Sequence, residues 1–257
     1  MTTFHNILAA LPPQTLDNAI RRWTGQHGTA QAPVAMDGKD LRGASKQTVE
    51  GRRVMVAAVE HKTGLVLGQV EVDSKSNEIP AVRELSQSLD LASRIVTVDA
   101  LHAQHETMRC LRGRGADYVV TIKDNQQTIL EDLRAMDFTD APSHETVDKG
   151  HGRIERRRCA VKDLSGPEWD GYAHLHGRRQ ALRIERERHI PKTGRRSVEV
   201  SYSLTSLGPD RAGPRSCWPW CTTIGTSRTA STTCATSPAT KTAAASTCAT
   251  CLAISPA

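Results

Sequence analysis

Aromatic residues are scarce. Two Phe, three Tyr and four Trp make up 4% of 257 residues, beside a hydrophobic share of 38%. So few large side chains leave part of the chain with little to place in a core. No apolar run approaches the roughly 20 residues that a membrane span requires, so no transmembrane helix is expected. The opening MTTFHNILAALPPQTL has neither the basic start nor the apolar stretch of a secretion signal, which makes a cytoplasmic location the expectation. Cysteine is nearly missing before residue 210, where only Cys110 and Cys159 stand. Cys217, Cys221, Cys234, Cys248 and Cys251 crowd the remainder, but the residues between them show no apolar period or turn chemistry that could frame four zinc ligands. Acidic residues stop at Asp210. Carboxylate chemistry must therefore draw on residues upstream of that point.

What is present has a clear order. Residues 1–30 read as a helical lead-in, with Leu16, Ile20 and Trp23 at helical spacing after Pro12 and Pro13. PVAMD is a short strand ending at Asp37. VMVAAVEH and LVLGQVEV form a hairpin about the KTG turn, with Gly64 at its tip. NEIPAVRELSQSLDL is a helix whose Ile79, Val82, Leu85 and Leu89 share one face. SRIVTVDA and ADYVVTIK are apolar runs suited to strands buried on both faces. Helices HAQHETMRCLRGRG and NQQTILEDLRAM follow them. This alternation is an α/β layout with a mixed sheet. Beyond residue 137, HGRIERRRCAV, RQALRIERERHI and SVEVSYSLTSL read as strands of a β-rich segment appended to that core. The net charge of +6 suits a polyanionic partner, and suits a solvated basic surface equally well.

Two carboxylates stand apart. Asp37 closes the first strand and Asp99 closes RIVTVD, and ligands of α/β folds collect at the ends of such strands. Acids on adjacent strands can share a hard divalent cation, Mg²⁺ or Mn²⁺. Two such ions about 4 Å apart stabilise the attacking and leaving oxygens of phosphoryl transfer. The plainer alternatives are an Asp-Gly turn for Asp37 and a helix N-cap for Asp99, and local sequence leaves both open.

The phrases MDGKDLRGA, LVLGQVEVDSKSNEI, IVTVDALHAQ, ADYVVTIKDNQ and HGRIERRR occur in that order. Together, across residues 5–207, they resemble the DDE transposases of bacterial insertion sequences, in the branch that includes the H-repeat-associated proteins. The resemblance implies an RNase H-like mixed sheet flanked by helices over 31–207, with a β-rich insertion at 137–200. It also implies metal-dependent cleavage at transposon ends and attack of a 3′-hydroxyl on target DNA, with Mg²⁺ or Mn²⁺ as cofactor. Asp37 and Asp99 match the first and second acids of the family's triad, as catalytic and metal-binding residues. Lys123, Asn125 and Gln126 lie in its K-x-N-Q phrase, and His151, Arg153 and Glu155 in its HGRIE phrase. Lys123, Arg153, Arg156, Arg157 and Arg158 are the expected DNA contacts, DNA is the expected partner, and a homodimer is one assembly left open.

The third acid should follow the SYSLTSL strand in a phrase resembling HW-x-IEN-x-LHW, and no such phrase is present. Residues 208–257 are expected to be an unstructured tail. Permitted codons for Ile224 to Thr242 can, however, be chosen so that the adjacent frame spells WHIENRLHHVRDVTCDED, with the Glu codon straddling Ser227 and Arg228. A frameshift near Asp210 to Pro214 is therefore the expectation, as is a missing N-terminal segment. Two other readings stand beside an active transposase. One is a catalytically dead remnant binding DNA non-specifically through Arg153, Arg156 to Arg158, or Arg178 and Arg179. The other is an RNase H-like nuclease, since fold alone does not fix function; the ordered phrases argue against it.

Overall fold

The computed structural model describes residues 3–27, 29, 31–40, 54–72 and 77–217. Expectations that fall on other positions, the tail and its shifted phrase among them, lie outside the described residues. The lead-in forms two helices, α1 (Thr3–Ala10) and α2 (Pro13–His27), separated at Pro12. Proline suits the first helical position, where its missing N–H would go unpaired anyway. Arg21 ties α2 to the body. Its guanidinium bonds Asp17 at 2.6 Å, Ser88 Oγ at 2.8 Å and the Gln69 carbonyl at 3.3 Å.

Nine strands form one mixed sheet in the order β3-β2-β1-β4-β5-β9-β8-β7-β6. The expected hairpin is β2 (Val54–Glu60) and β3 (Val66–Val72), with Gly64 at φ +71° between them. β1 (Val34–Asp40) pairs antiparallel with β2 and parallel with β4 (Ile95–Val98), which pairs parallel with β5 (Asp117–Ile122). Helix α3 (Glu78–Ser88) starts at Asn77, whose side chain accepts from the Ile79 N–H at 3.0 Å. It buries Val82 and Leu85 as its spacing predicts. Helices α4 (His105–Gly113) and α5 (Gln127–Ala135) follow β4 and β5.

The β-rich segment is not a separate body. β6 (Ser143–Gly150), β7 (Arg153–Asp163), β8 (Gln180–Ile190) and β9 (Arg195–Thr205) continue the same sheet, because β9 pairs with β5 along Tyr202–Thr205 and with β8 along its whole length. Ile122 lies opposite Tyr202, so the stretch from Ser201 back to Arg195 runs on past the C-terminal end of β5. That is about 23 Å of strand at ~3.3 Å per residue. The outer halves of β6 to β9 thus form a four-stranded arm.

Two apolar clusters lie on opposite faces. The larger unites Val34, Met36, Val96, Val98, Tyr118 and Val120 with Val82, Leu85, Met108 and Leu133 of the helices. The smaller joins Val119, Cys159, Val161, Leu182 and Ile184 to Leu207, Ala212 and Cys217. Burial pushes the Cys217 thiol up to about 12, with neighbouring Cys159 adding to the shift.

Candidate active site

One expectation needs correction at the outset. Asp37 does not end its strand, because β1 runs on to Asp40 and Asp37 itself pairs with Ala57 of β2. The Asp-Gly turn is therefore absent: Gly38 pairs with Val56 as ordinary strand. A Cβ at Gly38 would meet the carboxyl end of the flexible Glu78 side chain, which would have to swing aside. Pairing with β4 does stop at this level, at Met36 opposite Val98.

Asp37 follows Met36 and Asp99 follows Val98, so the two acids stand at adjacent positions one residue past the last β1–β4 pair. Strand alternation gives them one face, that of Ala35 and Thr97, which oppose each other in the register. This is also the face of Val119 and the smaller apolar cluster. His61 Nε2 meets Thr97 Oγ1 there at 2.8 Å.

Asp99 caps the 3-10 turn Ala100–His102, accepting from the Leu101 N–H on Oδ1 at 3.0 Å. The capping role and a ligand role are compatible, because the cap occupies only one carboxylate oxygen. His102, at the end of this turn, is 1% exposed and its Nδ1 has no hydrogen-bond partner. Burial lowers its pKa, and the fields of Asp99 and then Asp37 partly oppose that shift. Both carboxylates therefore act on one imidazole. In the sequence, the only signal for His102 is its place in VDALH.

The second loop at this edge follows β5. Exposed Lys123 leads into the 3-10 turn Asp124–Gln126. Asn125 Nδ2 donates to the Ala100 carbonyl and Gln126 Nε2 to the Ala103 carbonyl, each at 2.6 Å. The K-x-N-Q phrase thus grips the turn that carries Asp99. A hard-oxygen donor set of two carboxylates fits a divalent cation. Among the described residues, no cluster of three or more His, Cys, Asp or Glu could hold a metal.

The expected DNA contacts divide between places. Lys123 shares the edge of Asp37 and Asp99. Arg153, Arg156, Arg157 and Arg158 all lie on β7, in the arm that projects past that edge. Alternation puts Arg153 and Arg157 on the face of the two acids, through the register Val161–Leu182–Ser203 and Cys159–Ile184–Ser201. Arg156 and Arg158 stand on the opposite face, where Arg156 meets Glu145 at 3.4 Å. The first face centres on buried Glu155. It accepts from Arg157 Nε at 2.6 Å and from Arg186, with Arg153 at 3.7 Å and Arg188 at 3.9 Å. Arg178 is spent on structure, donating to the carbonyls of Tyr172, Leu164 and Trp169. Arg179 lies 3.7 Å from Asp210.

A family model described as the transposase DDE domain matches residues 29–245. The chain belongs to the DDE transposase family. That match takes in the strand that carries Asp37, the turn capped by Asp99 and the whole arm. A protein from the dhlA 3′ region of Xanthobacter autotrophicus is 31% identical over 221 residues, covering 81% of this chain and 72% of that protein. The "Putative transposase YncI" of Escherichia coli O157:H7 is 34% identical over 155 residues, 55% of this chain and 40% of its own length. The "H repeat-associated putative transposase YhhI" of Escherichia coli (strain K12) is 29% identical over 188 residues, 67% of this chain and 50% of its own length. The chain thus spans about half the length of several transposase relatives. No described helix is long and apolar enough to cross a membrane.

Proposed function

We propose that this chain is the catalytic core of an insertion-sequence transposase, built on an RNase H-like sheet, that cleaves and joins DNA by phosphoryl transfer. The observation that carries this reading is that Asp37, within β1, and Asp99, after β4, each stand one residue beyond the last paired positions, Met36 and Val98, of these parallel strands in a DDE-family chain. These two carboxylates are assigned as ligands of Mg²⁺ or Mn²⁺. When bound, such ions stabilise the attacking and leaving oxygens of an in-line displacement at phosphorus. Asp99 is held for this role by its own turn, through the Leu101 N–H. Lys123 and the arm face of Arg153 and Arg157 hold the DNA backbone beside the site. The strand order β3-β2-β1-β4-β5, with β1, β4 and β5 parallel, supports the RNase H-like assignment.

The third acid of the family pattern is assigned to the shifted frame across Ser227 and Arg228, so this chain as written is impaired. A second reading, a remnant that binds DNA without joining it, is favoured by the lack of any acid after Asp210. Strand transfer of a pre-cut transposon end in Mg²⁺ separates the two. Under the impaired-enzyme reading, joining is weak and disappears in Asp99→Asn, which keeps the cap oxygen. Complete absence of joining, with salt-sensitive DNA binding retained, establishes the remnant. Sequencing the gene tests the shifted frame, since codons unable to spell WHIEN in another frame remove it.

A further inference from the structure

We propose that Asn125 and Gln126 are positioning residues for Asp99, acting through the backbone of its turn; the proposal rests on the reading of Asp37 and Asp99 as metal ligands. The turn Ala100–His102 is a short 3-10 segment whose Ala100 and His102 are buried. Its internal bonds, His102 N–H to the Asp99 carbonyl at 3.2 Å and Ala103 N–H to the Ala100 carbonyl at 3.1 Å, set its shape. They do not set where it sits relative to Asp37. That second task is shared between the burial of Ala100, His102 and Ala103 and the loop after β5. Because β4 and β5 are parallel and in register from Ile95–Asp117 to Val98–Val120, their following loops emerge together. Asn125 and Gln126 then reach across to the two ends of the turn.

The chemistry of these contacts is specific. A carbonyl oxygen can only accept, so each side-chain amide must present its N–H₂ group. One grip falls on Ala100, next to Asp99, and the other on Ala103, next to His102. Asn125 is itself exposed and adds nothing to the apolar core. Its amide is therefore better explained by what it holds than by what it buries. Ligand sites tolerate about 0.5 Å of displacement, and partners that orient a ligand commonly change metal affinity by about 10–100-fold when removed.

Mn²⁺ binding to the full chain, followed by electron paramagnetic resonance, tests this, with hydrogen exchange at residues 99–104 measured on the metal-free protein. Replacing both residues (Asn125→Ala with Gln126→Ala) should weaken Mn²⁺ binding at least about tenfold and speed exchange of the Leu101 amide. Gln127→Ala, which removes only the exposed contact to Glu131, should change neither. Unaltered Mn²⁺ affinity in the double variant, while Asp99→Asn abolishes binding, overturns the positioning role and leaves the ligand assignment intact. Equal Mn²⁺ binding by wild type and Asp99→Asn overturns the ligand assignment and this proposal with it. Should the double variant melt early, each single alanine variant is read by the same criteria.

Discussion

Glu155 shows how a single buried carboxylate organises the arm. Burial alone would raise its pKa, but the bonds from Arg186 and Arg157 outweigh that and hold it below the usual glutamate range. A carboxylate whose folded pKa is depressed stabilises the native state above its unfolded pKa, and that contribution is lost as pH falls through the lowered value. Glu155→Gln should therefore cost about 1.5 kcal/mol near neutrality, the lower end for hydrogen bonds to a charged group, because the arginines that engage it are themselves partly exposed. The gap from wild type should narrow as the solution is acidified below the ordinary carboxylate range. Urea melts at a series of pH values measure both effects, and a constant gap would contradict the assignment. Residues of this kind were hard to read in sequence. Glu155 lay in a known phrase, but the arginines that engage it come from two strands. Asn125 and Gln126 were likewise visible as a phrase without a role, since their partners are backbone carbonyls of another loop. Asp37 and Asp99 were legible because each followed an apolar run.

At the scale of elements, alternation and apolar runs were sufficient wherever a strand had a buried face. The β2–β3 hairpin and the buried strands β4 and β5 follow the pattern closely. β6 escaped notice because SHETVDKG has no buried residue along its length, so no apolar period marks it. The outer half of β9 shows the same effect in reverse. Val198 is 61% and Val200 40% exposed, although alternating valines ordinarily mark a covered strand face. An arm wet on both sides cannot be told from its sequence pattern which side meets DNA, whereas the register decides which side faces the acids. Arg153 stands on that side and Arg156 does not. Arg153→Ala should therefore reduce the slope of log binding constant against log salt by about 1, the effect of one lost phosphate contact. Arg156→Ala and Lys62→Ala, the latter in the β2–β3 turn, should leave the slope unchanged. Filter binding over a salt series gives the answer, and an effect of Arg156→Ala equal to that of Arg153→Ala would remove the assignment of face.

At the scale of the whole molecule, the described residues cover the two faces of the sheet unequally. Helices α3, α4 and α5 close one face over the larger cluster. On the face of Asp37 and Asp99, the described residues that close the smaller cluster from outside the sheet are Leu207, Ala212 and Cys217. This short segment is pinned by Gln180, whose amide donates to the carbonyls of Leu207 at 2.8 Å and Ala212 at 3.0 Å. It is pinned again by Arg211, which pairs with buried Asp117. Under the proposed reading, an acid-bearing helix encoded in the shifted frame would come after this segment in sequence. Covering apolar surface contributes about 25 cal/mol per Å², and apolar patches left open favour association. A chain read in its shifted frame after Asp210, so that WHIENRLHH replaces Ile224 onward, should therefore change stability and chemistry together. It should melt at a higher temperature, run as a more uniform species in size-exclusion chromatography with light scattering, and bind Mn²⁺ more tightly than the chain as written. A chain as written that is already a uniform, cooperatively melting monomer would show that this face needs no further cover. The proposed link between a missing third acid and missing cover would then fail, because one helix could no longer account for both.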